Sequence, residues 1–160
     1  MHSLGIRQQI KDRVIARRGK VHLFDTFEPA KTAVIVIDMQ ATFCAEGGPA
    51  EVPMSRSLLE PINRLNAVLR AHGGHVIWVN HANQNKHGAS DWAGFFDNFV
   101  SDDVRARTIQ SMAPGSPGQE IWQGLEVHVD DLKIMKNRYS ALIPGSSPLE
   151  RILRSLGVET

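Results

Sequence analysis

Apolar residues along this chain follow two spacings, which together predict alternating strands and helices. Residues 33–37 are five consecutive small or β-branched apolar residues, typical of a strand buried on both faces of a parallel sheet. Residues 57–72 repeat leucine, isoleucine and valine every three or four positions, which predicts a helix that Gly73-Gly74 ends. A second buried-type strand follows at 75–79. Strand, helix and strand with short connections predict a βαβ unit and therefore parallel pairing.

The C-terminal part of the chain continues this alternation. Residues 132–135 alternate with lysine and predict a third short strand near a sheet edge. A helix is predicted after it, because Ser147 and Glu150 have the spacing of a capping box and Pro148 fits a first helical position. The residues after that helix, 158–160, are expected to begin a fourth strand.

The stretch between the second and third strands carries the aromatic residues of the chain at high density. Residues 80–118 are predicted to form a mostly irregular, polar loop, with Trp92, Phe95 and Phe96 grouped inside it. A long loop of this kind after a strand is expected either to cover a pocket or to contact a partner subunit.

Charge is distributed unevenly along the 160 residues. The net charge is +1, yet residues 1–20 hold six basic residues and one acidic residue. We predict that residues 4–17 form a basic amphipathic helix, and that residues 1–20 are an extension of a single domain at residues 21–160. A solvated helix face is the simpler interpretation of these charges, and contact with an acidic partner is the alternative.

Composition narrows the class of protein further. An apolar content of 42% suits a globular domain, and the absence of a run of about 18 apolar residues predicts no membrane span. The single cysteine, Cys44, excludes an internal disulfide framework. We therefore expect a cytoplasmic protein with no nucleic acid or membrane partner. The segments at residues 33–48 and 136–141 add the expectation of a small-molecule substrate and no cofactor.

Polar residues follow each predicted strand. Asp38 comes after the first strand, Asn80 and His81 after the second, and Lys136 after the third. The carboxyl ends of parallel strands share one edge of a sheet, where ligands bind in α/β proteins. Topology alone leaves two interpretations of Asp38 and Lys136 open, a catalytic pair and a structural ion pair.

Two segments carry a family resemblance. The first contains residues 33–40, Phe43, Cys44, Gly47 and Gly48, and it resembles the first-strand signature of isochorismatase-like hydrolases. The second, residues 136–141, resembles the segment around the catalytic lysine of that family. The resemblance implies a Rossmann-like α/β fold of three layers, αβα, whose parallel sheet has helices on both faces. It also implies six strands, the first beside the fourth, so the chain is expected to hold an incomplete sheet.

The resemblance further implies a Cys-Asp-Lys triad. The residue matching Asp38 exchanges protons, and the residue matching Lys136 favours the thiolate of a cysteine that attacks a carbonyl carbon. In the family this cysteine follows the fourth strand, which implies a nucleophile outside these 160 residues and a packing role for Cys44. Five neighbouring residues are expected to line the substrate pocket: Gln40, Phe43, Asn80, Trp92 and Tyr139.

The expected activity is hydrolysis of a C–N bond in a small amide, ureide or carbamoyl compound. Two alternatives stay open, an isochorismatase-type hydrolysis of a vinyl ether and a non-catalytic subunit or binding module. Homo-oligomers are common among such hydrolases, and one is expected here. The nicotinamidases of this family bind zinc through an Asp-x-His pair that this chain lacks after Val52, so no metal site is predicted near His81 and His87.

Overall fold

A computed structural model describes residues 6–86 and 89–160 of the protein. Its strands are β1 (Ala33–Ile37), β2 (His75–His81), β3 (Asn85–Lys86), β4 (Ala89–Ser90) and β5 (Leu132–Lys136). Its α-helices are α1 (Gln8–Arg18), α2 (Ala41–Cys44), α3 (Leu59–Ala71), α4 (Ala93–Phe99), α5 (Asp102–Ser111) and α6 (Leu149–Ser155). Short 3-10 helices span Pro29–Lys31 and Pro53–Leu58.

Strands β1, β2 and β5 form a parallel sheet in that order, which confirms the predicted βαβ unit. Side chains of alternate residues face α3 on one side, where Val36 and Trp78 pack with Ile62. Those of the intervening residues face α6, where Val79 packs with Leu149 and Ile152. Helices on both faces of a parallel sheet make three αβα layers, as the family resemblance implied.

The central strand β2 supplies most of the core. Ile77 and Val79 are fully buried and Trp78 is 1% exposed, so three consecutive side chains lose their contact with water on both faces. Each such burial stabilises the fold by roughly 2 kcal/mol. The side chain of Trp78 also donates its indole N–H to Asp131, whose carboxylate forms an ion pair with Arg70.

Helix α3 begins and ends close to the predicted positions. A 3-10 turn precedes it, and Pro61 lies in its first turn, where a proline costs no backbone hydrogen bond. Gly73 follows with φ 79°, in the left-handed region that favours glycine. A Cβ on Gly74 would collide with Leu69, so a second glycine is required where the chain enters β2.

Strand β1 differs from its prediction as a strand buried on both faces. Val36 is 6% exposed but Ile37 is 50% exposed, because among the described residues β1 has a strand partner only on the β2 side. On its other side two residues run alongside its start: Glu159 donates to the Lys31 carbonyl, and Ala33 donates to the Thr160 carbonyl. These contacts agree with the expectation of a further strand there.

Residues 80–118 contain regular structure that the sequence analysis missed. The predicted irregular loop holds helices α4 and α5 and the short antiparallel pair of β3 with β4. The signal lay in a spacing of four that joins Val100, Val104, Thr108 and Met112, with two acidic residues in the first turn of α5.

The two terminal helices match their predictions only in part. Helix α1 has no buried side chain, which agrees with a solvated helix and does not support an amphipathic one; residues 4 and 5 of that prediction lie outside the described residues. At α6, Ser147 accepts a hydrogen bond from Leu149, but Glu150 pairs with Arg154 and does not complete the capping box. The division at residue 20 stays a prediction. Within residues 6–86 and 89–160, no helix has the length and apolar character to cross a bilayer.

Candidate active site

The carboxyl ends of the three parallel strands bring an acid, an imidazole and an amine together. Asp38 directly follows β1, while His81 and Lys136 are the last residues of β2 and β5. The register of the sheet pairs His81 with Lys136. This is the edge where topology predicted a site.

Asp38 and Lys136 form an ion pair at the bottom of this edge. The carboxylate oxygen Oδ2 of Asp38 lies 2.9 Å from Nζ of Lys136, whose side chain is 1% exposed against 31% for Asp38. The other oxygen, Oδ1, is buried and has no hydrogen-bond partner among the described residues. One oxygen is thus held by the lysine, and the other is left to accept a proton.

The backbone at Asp38 adopts a strained, left-handed conformation. Asp38 has φ 58°, and it is the one non-glycine residue with positive φ among those the structure describes. Its N–H donates to the carbonyl of Val79 at 2.9 Å, which ties the turn to β2. Left-handed backbone at a residue other than glycine costs about 1 kcal/mol and often marks a functional position.

All three protons of the Lys136 ammonium have acceptors. Besides Asp38, Nζ lies 3.2 Å from Nδ1 of His81 and 3.2 Å from the carbonyl oxygen of Arg138. The lysine is therefore a buried positive charge of fixed orientation.

The imidazole of His81 is itself held on its far side. Its Nε2 pairs with Oδ1 of Asn83, a residue that is fully buried and donates to Asp91 and to the carbonyl of Asn137. Burial lowers the pKa of His81 below its ordinary value, and the charge of Lys136 lowers it further, against weaker opposing effects of Asn83, Asp38 and Asp91. The lowered pKa favours the neutral form of His81 at pH 7.

A cavity of about 240 Å³ opens above the ion pair. Its walls are mostly aromatic and aliphatic. The lining residues are Asp38, Phe43, Pro49, Ala50, His81, Trp92, Phe95, Phe96, Val100, Val104, Thr108, Met112, Lys136 and Tyr139. Both residues predicted as catalytic and three of those predicted to bind substrate, Phe43, Trp92 and Tyr139, thus share one cavity.

Trp92 lies at the centre of the aromatic wall of this cavity and contacts several other rings. It stacks on Phe95 with 4.3 Å between ring centroids and meets Tyr139 edge-on at 4.9 Å. His81 stacks on it at 5.8 Å, and the guanidinium of Arg138 lies 5.5 Å from its ring centroid. The cluster joins the cavity wall to the imidazole beside Lys136.

Gln40 does not reach the cavity, contrary to its prediction as a substrate-binding residue. Its side chain is fully buried and bonds to backbone alone: Nε2 donates to the carbonyls of His81 and Gln119, and Oε1 accepts from the His81 N–H. The amide has no group left for a ligand. It acts as a clamp that joins the turn after β1 to the end of β2.

Asn80 lies on the other face of the sheet, and its prediction as a substrate-binding residue is likewise contradicted. Successive side chains of a strand point to opposite faces, so His81 and Asn80 cannot both face Lys136. The side chain of Asn80 donates to the carbonyl of Gln119 at 2.9 Å, and it lines a different cavity from Asp38. The register of β2 against β5 determines that the side chain of His81, and not that of Asn80, lies beside Lys136.

We expect Gln40→Met to lower the free energy of unfolding by about 3 kcal/mol, measured by urea denaturation. The substitution keeps the volume but leaves the buried N–H of His81 without its side-chain acceptor and removes a donor from the His81 carbonyl. The carbonyl of Gln119 also loses Gln40 but keeps the side chain of Asn80 as a donor. Each buried group left without a partner costs about 1–3 kcal/mol.

Gln110→Met is the matched control, because Gln110 is exposed on α5 and its loss should leave the urea midpoint unchanged. A Gln40→Met protein with unaltered stability and a raised KM would contradict the clamp and restore Gln40 as a ligand-binding residue.

Cys44 is fully buried in the core beside Val36 and Trp78, which agrees with the packing role expected of it. It does not line the cavity. In residues 6–86 and 89–160 no three His, Cys, Asp or Glu side chains are grouped so as to hold a metal ion, and His87 lies outside these residues.

Comparison with known proteins places this chain in a family. The model of the isochorismatase domain matches residues 32–160. A probable inactive nicotinamidase from Arabidopsis thaliana is 31% identical over 130 residues, 79% of this chain and 61% of that protein. The ureidoacrylate amidohydrolase RutB from Klebsiella variicola is 26% identical over 144 residues, 83% of this chain and 60% of that protein.

A solved structure is also similar to this chain. A cysteine hydrolase from Pseudomonas syringae pv. phaseolicola superposes with a TM-score of 0.69 and 27% identity, over 83% of this chain and 58% of that one. The structural likeness supports the α/β fold described above. The chain belongs to the isochorismatase family. It spans about three fifths of the length of the relatives named here.

Proposed function

We propose that this chain supplies the acid and the lysine of a cysteine hydrolase that cleaves the C–N bond of a small amide, ureide or carbamoyl compound. The observation that carries the proposal is the Asp38–Lys136 ion pair at the wall of an apolar cavity, with Oδ1 of Asp38 unpartnered. The resemblance to RutB, named an amidohydrolase, supports the reaction type. We further propose that the nucleophilic thiol comes from sequence outside these 160 residues.

The proposed reaction uses Asp38 as a proton carrier in both halves. Asp38 takes the proton of the thiol as sulfur bonds to the carbonyl carbon, and it returns that proton to the nitrogen when the C–N bond breaks. The amine or ammonia leaves and a thioester remains. Asp38 then deprotonates a water that attacks the thioester, which releases the acid and restores the thiol. Lys136 contributes its positive charge, which favours the thiolate over the thiol.

The composition of the cavity restricts the substrate. Among the lining residues that the structure describes, the charged side chains are Asp38 and Lys136, and these neutralise each other. The remaining wall offers aromatic faces, chiefly Trp92, Phe95 and Phe96. A volume of about 240 Å³ suits one ring or a short branched chain. We propose that the acyl part of the substrate is small, uncharged and apolar.

The test is ammonia release by the full-length gene product from a panel of primary amides. Benzamide and isobutyramide represent uncharged acyl groups, and succinamic acid carries a carboxylate. We expect a higher kcat/KM for the first two compounds, and loss of activity after alkylation with iodoacetamide. Preference for succinamic acid would contradict the proposed substrate class, and activity that survives complete alkylation would contradict the thiol mechanism.

We expect Trp92→Ala to raise the KM for benzamide about tenfold, because the stacking partner of the ring is lost. Isobutyramide should respond less, since it has no aromatic face. Phe24→Ala is the matched control, because Phe24 is 87% exposed and does not line the cavity. Equal loss for both amides would assign Trp92 a purely structural role.

A non-catalytic binding module is the second candidate. It is favoured by the position of Cys44, the single cysteine of the 160 residues, away from the cavity, and by the name of the Arabidopsis thaliana relative as probably inactive. Saturable binding of benzamide by calorimetry, without ammonia release by the full-length gene product, would support this candidate over the hydrolase.

A further inference from the structure

We propose that His81 is a positioning residue that holds Lys136 in its catalytic orientation, as the middle member of a buried chain Lys136–His81–Asn83–Asp91. The inference rests on the proposed function, in which Lys136 is the charge that favours the thiolate. The proposal adds a condition for activity beyond the presence of Asp38 and Lys136. The imidazole of His81 must be neutral and must carry its proton on Nε2.

The hydrogen bonds on both sides of the His81 ring require the tautomer that is protonated on Nε2. An ammonium only donates, so Nδ1 of His81, 3.2 Å from Nζ of Lys136, must present its lone pair. At the other end, Asn83 donates its NH₂ to the carboxylate of Asp91 and to the carbonyl of Asn137, both of which only accept. Oδ1 of Asn83 therefore faces His81 and requires a proton on Nε2.

Burial keeps this arrangement rigid. His81 is 4% exposed, Asn83 is fully buried, and the ring of Trp92 stacks against the imidazole. The backbone of His81 is itself fixed by the side chain of Gln40. The orientation of the lysine therefore depends on the groups that fix the imidazole of His81 as well as on Asp38.

Protonation of His81 would undo the arrangement. A proton on Nδ1 removes the acceptor of Lys136 and puts a second positive charge 3.2 Å from its ammonium. The charged groups that face His81 are Lys136 from β5, Asp38 from the turn after β1, and Asp91 after β4. Burial and Lys136 lower the pKa of His81 and outweigh both carboxylates. Activity should therefore persist as the pH falls through the ordinary histidine range near 6.5 and be lost below it.

Three variants of the full-length gene product separate positioning from packing. His81→Leu removes the acceptor, and we expect kcat/KM for benzamide to fall about a hundredfold because the charge is misplaced. KM should change little, since leucine leaves an apolar side chain at this place in the cavity lining. His81→Asn keeps an oxygen near the position of Nδ1, so it should retain most of the activity. Its pH profile should lack the acidic limb, the fall of kcat/KM at low pH that protonation of His81 causes. Asn83→Asp adds a carboxylate beside Nε2 and should move that limb to higher pH.

The tautomer is measured directly by NMR of protein with ¹⁵N-labelled histidine, with His81→Asn used to assign the signal. We expect a neutral ring protonated on Nε2 at pH 7 that titrates below the ordinary histidine range, and an upward shift of this titration in Asn83→Asp. Because this measurement needs no turnover, it tests the positioning chain even if the proposed hydrolase reaction fails. A ring protonated on Nδ1 at pH 7, or equal activity losses in His81→Leu and His81→Asn, would overturn the proposal.

Discussion

Replacing Asp38 with asparagine should lower kcat/KM for the amide substrate about a thousandfold, because an amide oxygen cannot take the proton of the thiol and return it to the leaving nitrogen. Asparagine is the right substitution here. It tolerates the left-handed backbone conformation at φ 58°, so the turn after β1 should keep its shape. The measurement is steady-state ammonia release by the full-length gene product.

The same variant should also unfold more easily. Lys136 is buried and would lose its carboxylate partner, and removing one member of a buried ion pair costs about 3 kcal/mol or more. The double variant Asp38→Asn with Lys136→Met should regain part of that stability, since it removes the stranded charge. Asp97→Asn serves as the control, because Asp97 is exposed on α4. Full activity in Asp38→Asn would leave the ion pair as a structural feature and contradict its catalytic role.

Lys136→Met should lower kcat/KM about a hundredfold or more, because the fixed positive charge that favours the thiolate is lost at a site shielded from water. Methionine has nearly the length of the lysine stem and suits a position that is 2% exposed. The loss should fall on kcat more than on KM, since the apolar walls of the cavity are unchanged. The rate of alkylation of the nucleophilic thiol should fall in parallel.

Lys133→Met on the same strand is the matched control, because Lys133 is exposed and contacts neither Asp38 nor His81. It should alkylate and turn over as the unaltered protein does. If Lys136→Met kept the alkylation rate but lost binding of benzamide, the lysine would be a substrate ligand, and the electrostatic role would be wrong.

Hydrophobic spacing predicted the alternation of strands and helices and the parallel βαβ unit, because each element repeats at its own period. Strands at residues 33–37, 75–79 and 132–135 and the helix after Ser57 were recognised from short windows of sequence, and the structure confirms them within a few residues. Helix α4 was not predicted because Gly94, Asn98 and the exposed Phe99 weaken its helical pattern. Helix α5 was not predicted because charged residues separate its few apolar positions. The homo-oligomer and the cytoplasmic location stay predictions.

The candidate site was predicted to a similar degree and for a related reason. Asp38 and Lys136 could be located because parallel strands end at one edge, whatever their exact register. Gln40 and Asn80 could not be assigned, because a polar side chain next to a strand end can turn into the cavity or bond to backbone. Their positions depend on contacts with Gln119, about 40 residues or more away along the chain.

By itself, therefore, the sequence determined the βαβ order, the two segments that mark the family, and the acid and lysine that meet at the strand ends. Only the tertiary structure decided that His81 and not Asn80 faces Lys136, that Asn83 holds His81, and that α5 closes the cavity. The physical reason is the distance along the chain over which each effect acts. Periodicity and turn chemistry act over a few residues, whereas one step of strand register moves a side chain to the opposite face of the sheet.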